Sequence, residues 1–135
     1  MFYELSLKRN TVSESGREKE VSEKYIIEGA ELFCEAEVKA LGYFNGECNV
    51  TAIKQSKIRE FINNDADTDN DIYLSCVADV YIDEKSGQEK ELKYVVAVFA
   101  TSVDDATKKT LEYMKQGLND FVLNSVKKTK FLEVI

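Results

Sequence analysis

The hexapeptide Ser15-Gly16-Arg17-Glu18-Lys19-Glu20 returns as Ser86-Gly87-Gln88-Glu89-Lys90-Glu91, with a single difference at Arg17 against Gln88. A second stretch, 50–62, lies over 123–135, where Lys54, Lys57, Glu60 and Ile62 recur as Lys127, Lys130, Glu133 and Ile135. The offset is 71 positions at the first match and 73 at the second. One short match arises easily by chance, but two in the same order at nearly one spacing point to a duplicated unit. A duplicated chain is expected to fold both copies alike, so this repeat restricts the architecture more than any single motif. It sets out one domain over 1–135, with repeats at 2–62 and 73–135 joined by an acidic linker at 63–72.

Within each copy the apolar pattern assigns the elements. Tyr3, Leu5 and Leu7 alternate with polar residues, as in a half-buried strand; Leu74, Cys76, Ala78, Val80 and Ile82 are expected to be their counterparts. The shared Ser-Gly segment then makes a hairpin tip, because Gly16 and Gly87 can take φ > 0. Second strands follow through Val21, Glu23, Tyr25 and Ile27, and through 92–100, which is apolar enough to be buried on both faces. A helix comes next in each copy. The expected buried stripes are Leu32, Phe33, Ala36, Ala40, Leu41 and Phe44 in the first, and Val103, Ala106, Thr110, Leu111, Met114 and Leu118 in the second. Ser102 is the expected N-cap with Asp105 three residues on, and Gly117 the expected stop. The closing segments, 49–62 and 124–135, read as strands by their β-branched residues, although their spacing also suits a short helix. The fold class is therefore α+β: a two-layer sandwich of two pseudo-twofold-related β-β-α-β repeats, mostly antiparallel, with two main helices and the more apolar second hairpin central.

Composition removes several chemistries. The chain has no His, Trp or Pro. Without histidine the commonest general base and the His-based metal sites are absent, and no phosphate-binding glycine loop is present. Cys34, Cys48 and Cys76 are an odd set with no CxxC spacing, expected to be reduced and mostly buried in an intracellular chain. Cys34 sits among Glu31, Glu35 and Glu37, poor surroundings for a nucleophilic thiolate. The alternating acids Asp65, Asp67, Asp69 and Asp71 resemble a calcium loop, but its sixth position is Asn70 and its twelfth Cys76, where Gly and Glu belong. No enzyme activity, metal or cofactor is expected. Apolar runs are too short for a membrane span, and the basic pair Lys8-Arg9 follows the first apolar stretch instead of preceding it, against an export signal. A cytoplasmic location is the expectation.

The net charge of −7 repels nucleic acid at long range. Against that background the closing segments concentrate cations: Lys54, Lys57 and Arg59, then Lys127, Lys128 and Lys130, with Phe121 and Phe131 nearby. Such a face could track a phosphate backbone while rings stack on bases. The competing reading is a lysine-rich sheet edge that prevents aggregation.

The ordered set of an aromatic N-terminal strand (Phe2, Tyr3), the Gly-x-Glu-Lys hairpin, Tyr25-Ile26 before an Ala- and Glu-rich helix, and the Asp83–Lys90 hairpin resembles a known group. It is an uncharacterised family of small proteins from gut Bacteroidetes and their phages. The resemblance spans nearly the whole chain, and implies a role in phage or mobile-element transactions without bringing catalytic residues. The leading expectation is then a non-enzymatic, single-stranded nucleic-acid-binding accessory. The alternative is a protein-binding module: a homo-oligomer, a virion component, or an acidic inhibitor of a host nucleic-acid-handling protein.

Overall fold

In a computed structural model, residues 1–12, 14–62, 70–117 and 120–135 are described. The chain forms two compact units, one of Met1–Ser56 with Lys130–Ile135 and the other of Lys57–Thr129.

In the first unit, β1 (Phe2–Val12) and β2 (Glu18–Glu28) form an antiparallel hairpin. Gly16 turns it at φ 79°, the left-handed conformation a side chain would strain. Helix α1 (Phe33–Tyr43) follows, then β3 (Asn49–Gln55) antiparallel to β1. The other edge is filled by β8 (Phe131–Val134), which runs parallel to β2, giving the order β3-β1-β2-β8. The second unit repeats this plan. Strands β5 (Asp71–Ile82) and β6 (Glu89–Ala100) make the hairpin, with Gly87 at φ 69°. Helix α2 (Val103–Lys115) and antiparallel β7 (Asp120–Lys128) follow, and β4 (Ile58–Ile62) lies parallel to β6, for the order β4-β6-β5-β7. Each unit is a helix on a four-stranded sheet, and the chain has the expected α+β class, two-layer with two main helices and mostly antiparallel sheet.

The closing segments are strands, and each is two strands where one was expected. The break falls at Ser56-Lys57 and at Thr129-Lys130. Ser56 N–H donates to the Phe2 carbonyl (2.8 Å) and Thr129 N–H to that of Ile72 (3.0 Å), so both segments turn off the sheet by the same contact. Beyond the break the strand joins the other unit. β4, from the first half of the sequence, completes the second sheet, and β8, from the second half, completes the first. The units therefore cut across the two halves expected to be repeats. Simple β-β-α-β packing of each half on itself is not what forms.

The first core gathers Tyr3, Leu5 and Leu7 from β1, Tyr25 and Ile27 from β2, and Ala36 and Ala40 from α1. In the second unit the helix-facing residues of β5 are Tyr73, Ser75 and Val77, one position out of phase with the expected Leu74, Cys76 and Ala78. The difference has a physical source: Ile72 and Ala78, which point away from the helix, are as inaccessible as Val77, so the apolar alternation is lost. On β6, Val96 through Ala100 are buried without interruption, as expected, while Leu92 is exposed.

Ser102 caps α2, its hydroxyl accepting from Asp105 N–H (3.1 Å). The Asp105 carboxylate accepts from Thr101 N–H (3.0 Å), which holds its pKa below the ordinary value. Of the stripe expected on α2, Ala106, Thr110 and Met114 are buried, whereas Val103 is exposed. Leu118 and most of the acidic linker (63–69), with the calcium-loop pattern it carries, lie outside the described residues. Asp71 and Ile72, assigned to that linker, open β5.

Candidate interaction surfaces

The residues singled out for nucleic acid come from both units. Lys54, Lys130 and Phe131 belong to the first unit, and Lys57, Arg59, Phe121, Lys127 and Lys128 to the second. Lys54 lies on edge strand β3 and pairs with Glu4 (3.2 Å). Lys127 and Lys128 are neighbours on edge strand β7, so they point to opposite faces, and Lys128 pairs with Asp71 (3.2 Å). Arg59 lies over the Tyr94 ring, 4.5 Å from its centre. Phe121 packs against the core of its unit and Phe131 is half-buried. Within each unit the lysines of β3 and β7 have the placement of edge protection.

Two polar clusters, not foreseen from the sequence, sit at the C-terminal ends of the helices. In the first, the Arg9 guanidinium binds the Glu23 carboxylate, Tyr25 OH donates to Glu23 (3.2 Å), and Tyr43 OH donates to Glu133 of β8 (2.6 Å). In the second, Tyr94 OH donates to Asp79 (3.2 Å) and Tyr113 OH to Glu60 of β4. Tyr43 and Tyr113 thus make the same link, each from the end of its helix to the exchanged strand. The recurrence of Glu60 as Glu133 was the signal available in the sequence.

Burial first, then the Glu23 charge and hydrogen bond, push the Tyr25 phenol up to about 12; burial, then the hydrogen bond to Glu60 and its charge, do the same for Tyr113. A phenol whose pKa is higher folded than unfolded stabilises the fold fully below pH 10, and that stabilisation disappears as pH rises toward 12. Urea unfolding at pH 9 and pH 11.5 should therefore show a loss, on the order of 1–2 kcal/mol from Tyr25 after allowance for solvent screening. Tyr25→Phe should flatten part of that slope.

A depression of about 520 Å³ opens beside the first cluster, lined in part by Lys8, Arg9, Glu20, Phe44 and Cys48. Its cations are already matched, Lys8 by Glu20 (3.7 Å) and Arg9 by Glu23. It offers no surplus positive charge to an anionic ligand, and among the described residues Glu47 on its rim is unmatched.

Helix α1 is different in kind. Only Ala36 and Ala40 of its residues are buried, with Phe44 just beyond packed on the same core. The six-residue stripe expected from the sequence is therefore narrower: Leu32, Phe33 and Leu41 are 58%, 55% and 38% exposed. Cys34, Val38 and Leu41 fall at i, i+4 and i+7 and line one stripe away from the core, with Val38 70% exposed. The corresponding residues of α2 are Asp104, Lys108 and Leu111, two charged and exposed and one half-buried. Cys34 is thus exposed, against the expectation of inert packing; Cys48 and Cys76 are half-buried, and all three thiols are free.

A helix apolar on both its inner and outer faces is a form that normally has cover on each. Among the described residues no helix is long and apolar enough to cross a membrane. Fold and surface together define an α+β protein of two sheet-and-helix units that carries one apolar helix face. Residues 1–135 match the family described as Domain of unknown function (DUF4494), and the chain belongs to that family. No curated protein and no solved structure matches it.

Proposed function

We propose that this protein is a non-catalytic binding module that docks a partner protein, of host or phage origin, on the outer face of α1. The observation that carries the reading is the exposed stripe of Cys34, Val38 and Leu41 on the face of α1 away from the core. Burying one such aliphatic side chain contributes about 1.5–3 kcal/mol, so this face leaves unused binding energy of a useful size. Nucleic-acid binding has less support, since Lys54 and Lys128 are ion-paired and the neighbours Lys127 and Lys128 point to opposite faces of β7. The shared strand order and tyrosine–glutamate links support origin of the two halves by duplication.

A photo-crosslinker attached at Cys34, with Cys48→Ser and Cys76→Ser to make the site unique, tests the proposal in cells of the native host. The expected result is a discrete adduct that resists nuclease, is digested by protease, and is lost in Val38→Lys. No Val38-dependent adduct, or one removed by nuclease, overturns it.

A further inference from the structure

We infer that the α1 face receives a basic amphipathic segment and not a second copy of this chain; this rests on the docking role proposed above and specifies its partner. Carboxylates frame the apolar stripe. On a helical wheel Glu35 and Glu37 fall on either side of Cys34, Val38 and Leu41, with Glu31 at the helix start and Glu47 beyond its end. All four are exposed. Among the described residues no ion pair reaches them, whereas Glu4, Glu20 and Glu23 of the same unit are all ion-paired. The one cation on the helix, Lys39, is turned away to the carbonyl of Glu28.

This charge layout decides between occupants. A second copy placed face to face would set carboxylates against carboxylates with no lysine to answer them, and like charges brought together at an interface cost affinity. A segment with an apolar stripe bordered by lysines or arginines would instead match both features at once, filling the stripe and meeting a carboxylate on each side. Helix-in-groove and helix-on-helix partners are read by such i, i+3, i+4, i+7 anchors, and flanking charges set their choice.

Three synthetic helical peptides with one shared leucine face, and either lysine, glutamine or glutamate on the remaining positions, provide the probe. Each is titrated into the full ¹⁵N-labelled protein at 50 and 500 mM NaCl while amide shifts are followed. The lysine peptide is expected to perturb α1 and to bind at least tenfold more tightly than the glutamine peptide at low salt. Val38→Lys should abolish the shifts, Glu35→Lys with Glu37→Lys should transfer the preference to the glutamate peptide, and high salt should weaken binding several-fold. Equal binding of the glutamine peptide at α1 overturns the basic partner while leaving the docking face intact. A dimer in light scattering that Val38→Lys dissociates overturns it in favour of self-association. No shift at α1 with any peptide also overturns it, and only when joined to a missing Cys34 adduct does it remove the docking role as well.

Discussion

Deleting Lys130–Ile135 is expected to destabilise the opposite end of the sequence. These six residues hold β8, the parallel edge strand beside β2, and Ile135, which packs on the core of Tyr3, Leu5, Tyr25 and Ile27. Ile135 also exchanges backbone hydrogen bonds with β2: its N–H donates to the Ile26 carbonyl (2.7 Å) and its carbonyl accepts from Glu28 N–H (3.1 Å). The deletion uncovers the edge of β2, removes the Glu133 acceptor of Tyr43, and takes an aliphatic side chain from the core. Ile135 is half-buried, so its loss sits at the low end of the about 2–5 kcal/mol for a core aliphatic truncation, and with the lost backbone hydrogen bonds a total of roughly 2–4 kcal/mol in urea unfolding is expected. Hydrogen exchange should locate the damage: amides of β1, β2 and α1 lose protection, while those of β5 and β6 keep theirs. Loss confined to β5–β7 would contradict the exchange of closing strands.

Thr110→Val should cost about 1–3 kcal/mol, although it changes little in volume. Ser75 and Thr110 are the buried polar residues of the second core, their oxygens 2.8 Å apart, and Thr110 OH also donates to the Ala106 carbonyl (2.8 Å). A hydroxyl has one hydrogen. With that of Thr110 committed to Ala106, Ser75 must be the donor between them. Valine at 110 leaves the Ser75 hydroxyl buried without an acceptor, whereas Ser75→Ala removes a donor and leaves Thr110 still bonded to Ala106. Ser75→Ala is therefore expected to be near neutral, and the double variant to recover most of the Thr110→Val loss. A double-mutant cycle in chemical denaturation reads this directly, and strict additivity would refute the donor assignment.

Much of this architecture is visible in the residues. The two Ser-Gly tips gave both hairpins, because positive φ at Gly16 and Gly87 is a local requirement. Ser102 with Asp105 gave the start of α2 for the same reason. What the residues concealed was non-local. The break at Ser56-Lys57 looks like any polar pair within a strand, and nothing local tells which sheet Ile58–Ile62 will join. The same limit governs α1. Leu32, Phe33 and Leu41 are apolar and so read as core, yet apolar residues are common on surfaces, and of α1 only Ala36 and Ala40 are buried. Which apolar residues of α1 stay uncovered depends on the sheet it packs against, not on their type.

The exchange of closing strands decides which residues surround both helix ends, and a pair of engineered disulfides addresses it most directly. Lys24 on β2 is the register partner of Phe131 on β8, and adjacent strands stand about 4.8 Å apart, within disulfide reach. In a background with Cys34, Cys48 and Cys76 replaced by serine, Lys24→Cys with Phe131→Cys should oxidise readily to an intramolecular disulfide. Lys24→Cys with Ile58→Cys, the pair that would meet if the first half kept its own closing strand, should remain reduced under the same conditions. A bridge between 24 and 58, with none between 24 and 131, would contradict the fold described above.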